Sequence, residues 1–235
     1  MVPIPLTDHI RRRTFWLFTL VLILLNAWAF MLELSLGRDL NRFVFLYGLT
    51  PARYTVPRLA ARVPLSLSLL SILISMFLHG GWLHLLGNML FLFVFGRSIE
   101  DRFGHWRFLL IYFLAGFGGA VAHIALNAGS PVPTIGASGA IAGVLGAYFI
   151  SFPGARITTL IPLIFFFWTI DLPAILLLGY WFLIQFLTGF HMLGIQTAAS
   201  GGVAWWAHVG GFIVGMVLAA TLQPQRRGPV VEVLR

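Results

Sequence analysis

With 59% of its 235 residues hydrophobic, 9% charged and a mean hydropathy of +0.93, the chain has too few charges to cover a soluble domain of its size. The excess apolar surface has to face lipid, and the length suits one bundle of about six or seven helices with nothing separable outside it. The net charge of +8 comes entirely from arginines at the ends of apolar runs and in one long loop, which points to orientation in a membrane rather than to nucleic acid. Cysteine is absent, which excludes disulfides, thiolate zinc sites and a cysteine nucleophile.

Arg11, Arg12 and Arg13 precede the first apolar run and imitate a secretory signal. The run is too long for a signal core and no small-x-small cleavage site follows it, so it reads as a retained first span over 14–34. A long loop over 35–81 follows, carrying Arg38, Arg42, Arg53, Arg58 and Arg62 with Pro51, Pro57 and Pro64. Its apolar end, 63–78, is short and suits a membrane-embedded loop better than a crossing.

The second span is expected over 82–96, running on to about Glu100, and the third over 105–127. The fourth covers 136–152, the fifth 171–190 and the sixth 204–222, while the apolar segment 157–170 is interrupted by Pro162 and has no assigned place. Phe165, Phe166, Phe167 and Trp168 read as an interfacial anchor or lipid contact. Positive-inside counting puts both termini, 1–13 and 223–235, in the cytoplasm, with six crossings in one membrane domain over 1–235. The arginine-rich loop after the first span then lies outside, against the rule.

Polar residues within spans are costly and call for a reason. His84 and Asn88, one helical turn apart, begin the second span, Ser138 begins the fourth, and His208 lies in the first turns of the sixth. All three spans descend from the outer side, so these four residues share one layer. Small-residue stripes at Ser138, Ala142 and Gly146, and at Ala207, Gly211, Gly215 and Ala219, would let those helices approach closely. A serine hydroxyl needs a base, and His208 can serve as one. No acid falls in this layer, since Glu33 ends the first span and Asp171 starts the fifth, so the arrangement is a Ser–His dyad. His84, Asn88 and the Ser138 amide would donate to the oxyanion, and Gly136 and Gly139 would let backbone and substrate come close.

Gly136-Ala137-Ser138-Gly139, the run His79 to Asn88, and Ala207-His208 followed by Gly211 and Gly215 resemble the motifs of the rhomboid family, in family order. Glu100-Asp101-Arg102-Phe103-Gly104 is similar to the family's turn after the second span. The resemblance runs from about Ser75 to Ala220. It implies an all-α polytopic membrane protein, a six-transmembrane-helix rhomboid-like bundle in the cell membrane. It also implies a serine-type endopeptidase with nucleophile Ser138, base His208 and oxyanion stabilisers His84 and Asn88. No cofactor or metal is called for, and the implied partners are membrane lipid and single-span membrane proteins cut near the outer face. The fifth helix and the loop over 190–203 would gate access. A Trp-Arg pair found in the first loop of many relatives does not occur between Ser35 and Ser75.

Plainer readings compete residue by residue. Ser138 alone is a packing residue, and His208 or Asn88 alone a helix-bonding one. His79 is expected to brace its loop, His123 to be structural, and His9, His105 and His191 to be interfacial. Rival functions are a substrate-binding relative without activity, which would lack Ser138 or His208, and a metal site using His79, His84 and His208. The metal site lacks the HExxH spacing and a glutamate base. A small transporter would call for an inverted repeat or a charged mid-membrane residue.

Overall fold

The computed structural model describes residues 3–162, 167–193 and 203–224. Its first long helix, α1 (Leu17–Ser35), starts where two acids from a distant helix receive it. The first amides of a helix lack partners within it and favour negative charge nearby. The Glu100 carboxylate accepts the amides of Phe18 at 2.8 Å and Thr19 at 2.7 Å, and Asp101 accepts those of Arg13 at 3.0 Å and Thr14 at 2.8 Å. The acidic turn motif therefore caps α1.

The stretch after α1 folds as α2 (Leu40–Tyr47), the single turns α3 (Ala52–Thr55) and α4 (Pro57–Ala60), and α5 (Leu65–Ser75). Arg53 is buried, donates to the carbonyls of Phe45 and Leu46 at the end of α2, and lies over the Phe45 ring. One arginine of the loop that breaks the positive-inside pattern is thus a helix cap. Buried Ser68, Ser71 and Ser75 share one face of α5, with Ser71 Oγ 2.9 Å from Tyr54 Oη.

Helix α6 (Trp82–Phe91) continues through a π turn, Leu92–Gly96, into α7 (Arg97–Phe103). The widened turn lies where α1 crosses: a Cβ on Gly96 would sit 3.2 Å from Thr19 Cγ2. Then come α8 (His105–Leu126), α9 (Ser138–Ser151), α10 (Ala174–His191) and α11 (Trp205–Thr221). Among the described residues, four helices are long and apolar enough to cross a membrane: α1, the continuous Trp82–Phe103, α8 and α10. Helices α5, α9 and α11 are apolar but shorter.

An all-α fold was expected, and a sheet corrects it. Strands β1 (Ile4–Asp8), β2 (Arg156–Pro162) and β3 (Phe167–Pro173) form an antiparallel sheet in the order β1-β2-β3. The cause is the β-branched run Ile157-Thr158-Thr159, whose Ile157 and Thr159 side chains are fully buried while Thr158 between them is not. The fifth helix consequently begins at Ala174 after Pro173, and Asp171 lies in β3, bonded to Thr158 Oγ1 at 2.6 Å. Trp168 is exposed, consistent with the anchor reading, whereas Phe165 and Phe166 lie outside the described residues, as do most of the loop over 190–203 and the tail arginines.

Helix α9 runs through the centre of the bundle, with every residue from Gly139 to Tyr148 buried. A helix apolar all round belongs in such a place. Its contact with α11 is made by glycines. A Cβ on Gly211 would overlap the Gly139 carbonyl oxygen, one on Gly215 that of Gly143, and one on Gly146 that of Phe212. The two helices are parallel, because Gly139 pairs with Gly211 and Gly143 with Gly215 in rising order. The α9 face in this seam is therefore Gly139, Gly143 and Gly146, which keeps Gly146 of the expected stripe but replaces Ser138 and Ala142 by the next residue along the helix. Ser138 and Ala142 are left to line a cavity.

Candidate active site

A cavity of about 600 Å³ opens where the first turns of α6, α9 and α11 meet. Among its walls are His84, Asn88, Ser138 and His208, so the four residues expected to share a layer do line one space. Among the described residues, no side chain caps the first turn of α6, α9 or α11, so three helix N-termini bring partial positive charge to one end of the bundle.

Ser138 is the first residue of α9, and its position is set by the loop before it. The Gly136 amide donates to the Ser75 carbonyl at 2.8 Å, Leu49 and Thr134 exchange backbone bonds, and the Ala52 amide donates to Ser130 at 2.9 Å. His123 adds a side-chain tie, with Nε2 2.9 Å from Thr134 Oγ1, in keeping with its structural reading. Gly136 has φ +135°, which disfavours any side chain, and a Cβ there would lie 2.8 Å from His84 Nε2. The glycine thus allows both the turn into Ser138 and the approach of the His84 ring.

His208 Nε2 lies 2.8 Å from Ser138 Oγ, a hydrogen-bonding distance such as a serine nucleophile and its base would need. Its other nitrogen, Nδ1, is 2.6 Å from Gln185 Oε1 on α10. The ring packs beside Trp181, one turn before Gln185, with centroids 5.8 Å apart, and edge-on to Trp205. The Gly80 amide points at His84 Nδ1 at 3.4 Å, which makes Nδ1 the acceptor and leaves the proton on Nε2, the atom beside Gly136. Among the described residues, Asn88 Nδ2 is buried without a hydrogen-bond partner. Two donors therefore share the cavity with the serine.

His79 is buried, its amide donates to Glu33 Oε1 at 2.9 Å, and its ring stands edge-on to His84 at 5.1 Å between centroids. It braces the turn into α6, as expected. Glu33 is thereby brought to the edge of the site, which the sequence reading had left free of acids, yet it serves the His79 turn and not His208. Sequence reasoning also missed Gln185. The available signal was a side-chain amide in the middle of an apolar helix, where an unpaired polar group is costly.

Comparison with known proteins gives a consistent result. The Rhomboid domain family model matches residues 66–225. RHOMBOID-like protein 4 of Arabidopsis thaliana is 35% identical over 160 residues, 65% of this chain and 36% of the relative. RHOMBOID-like protein 6, mitochondrial, of the same plant is 33% identical over 157 residues, 64% of this chain and 43% of the relative. Rhomboid protease GluP of Bacillus subtilis (strain 168) is 49% identical over 70 residues, 30% of this chain and 13% of the relative. The chain thus spans less than half the length of each of these relatives.

Proposed function

The chain belongs to the rhomboid family of multi-pass membrane proteins, and from that premise we propose that it is an intramembrane serine endopeptidase working by a Ser138–His208 dyad. The observation that carries the reading is the 2.8 Å contact between Ser138 Oγ and His208 Nε2 inside a cavity flanked by two donors. His208 takes the Ser138 proton as Oγ attacks the scissile carbonyl. The oxyanion receives His84 Nε2–H, Asn88 Nδ2–H and the Ser138 amide. Protonated His208 then gives its proton to the leaving amine, and a water activated by the same nitrogen hydrolyses the acyl-enzyme.

The substrates we propose are single-span membrane proteins cut near the outer face of the cell membrane. Helix α9, with 14 residues, is about 21 Å long against a hydrocarbon core of about 30 Å, which suits a serine held below the membrane surface. We also propose six crossings with both termini cytoplasmic. Pairing of β1 with β2 supports this, because it needs the N-terminus and the segment between α9 and α10 on one side. The chain has no cysteine, so single introduced cysteines report topology cleanly. In intact cells, Ala128→Cys should react with an impermeant maleimide and Leu6→Cys only after permeabilisation; the reverse pattern would overturn the orientation.

The deciding experiment is cleavage of a single-span reporter by purified, reconstituted protein, wild type beside Ser138→Ala. Alanine suits the same small space, so the variant should fold, with cleavage reduced by at least about 10³-fold. Undiminished cleavage by Ser138→Ala would remove the dyad.

A further inference from the structure

His208 has two nitrogens, and only one of them meets the serine. A neutral imidazole carries a single N–H, so the group at Nδ1 decides whether Nε2 is free to accept a proton. Among the described residues no carboxylate meets Nδ1; the neighbour is Gln185 Oε1, at 2.6 Å. Gln185 is 7% exposed, on a helix that is otherwise largely apolar, and its carbonyl has no other protein hydrogen bond among the described residues. On α9 the residue one turn after Ser138 is Ala142, whose methyl has no hydrogen bond to give the ring. Support comes instead from α10, where Trp181 and Gln185, four apart and so on one face, both reach the ring.

We propose that Gln185 is a positioning residue: its Oε1 accepts Nδ1–H of His208 and holds the imidazole in the tautomer whose bare Nε2 faces Ser138. This rests on the proteolytic reading of the site and adds to it a neutral third member where a carboxylate could have stood. An amide oxygen fixes the tautomer and favours the imidazolium through one hydrogen bond, without neutralising its charge. The Gln185 amide NH₂ in the reversed orientation would do the opposite, placing the histidine proton on Nε2 and leaving the serine without a base.

Three proteins test this: wild type, Gln185→Met, which keeps the length but has no oxygen, and Gln185→Glu, which restores an acceptor and adds charge. Gln185→Met should lower kcat by about 10-fold or more with KM little changed, because a misplaced tautomer removes the base and not the binding surface. Gln185→Glu should recover much of kcat. Its acidic limb of kcat/KM should move to higher pH, because a carboxylate favours the imidazolium and raises the histidine pKa. A purely structural role would leave that limb where it is. Nitrogen-15 NMR of His208 in the wild-type protein gives a readout free of any substrate: the proton is expected on Nδ1. If no reporter is cut at all, the proteolytic reading fails while the nitrogen spectrum still decides the tautomer. A wild-type proton on Nε2, or full kcat in Gln185→Met, would overturn the proposal.

Discussion

The two members of the proposed dyad are held by different means. Ser138 is fixed by main chain: glycine-to-carbonyl contacts along the α9–α11 seam on one side, and backbone hydrogen bonds of its preceding loop with Ser75, Leu49 and Ala52 on the other. His208 rises from the same seam, yet its ring is oriented by side chains of α10, Trp181 and Gln185. A nucleophile placed by backbone cannot be retuned without disturbing the fold. A base placed by side chains can be retuned by one substitution with the fold intact.

The seam should give the largest effect. Gly215→Leu forces a side chain onto the Gly143 carbonyl, and a loss of about 3 kcal/mol or more, read as failure to fold or a collapsed thermal midpoint in detergent, is expected. A stable, active Gly215→Leu protein would contradict the close approach. Asn88→Ala removes an unpaired donor from the cavity wall and should reduce kcat by about 10²- to 10³-fold with the thermal midpoint preserved. Equal damage to stability would reassign Asn88 to helix packing.

Away from the site, Glu100→Gln weakens a cap made of charge-assisted bonds to Phe18, Thr19 and the Thr19 hydroxyl. A stability loss of about 1.5 to 3 kcal/mol is expected, with cleavage by the remaining folded protein unchanged. Smallest of all, Trp181→Leu removes only the ring against His208 and should cost about 2- to 10-fold in kcat, without moving the pH profile. A pH shift in that variant as large as that of Gln185→Glu would blur the distinction between packing and tautomer control.

The site was legible in the sequence to the extent that lipid makes polar residues conspicuous. His84, Asn88, Ser138 and His208 stand out among apolar neighbours, and the alternation of spans puts them at one level. The seam was legible only approximately, because Ser138 and Ala142 are also small, and only the main-chain contacts show that the tight face runs through Gly139, Gly143 and Gly146. Gln185 escaped because the search for a third group was confined to acids. The sheet escaped for two reasons: β1 pairs with β2 across most of the chain, Ile4 opposite Leu160, and the aromatic run at 165–168 hides the alternation of the strands beside it.

The loop after α1 reaches the serine turn almost wholly through amides and carbonyls, which every residue type except proline supplies alike. Its duty is therefore written in length and path, and hardly in spelling. Two proteins could share this brace with few letters of it in common, so a divergent first loop is poor evidence of a divergent site. Exchanging such loops between relatives by whole segment, with the ends at Ser35 and Ser75 kept, becomes a rational way to alter that surface while Ser138 stays in place.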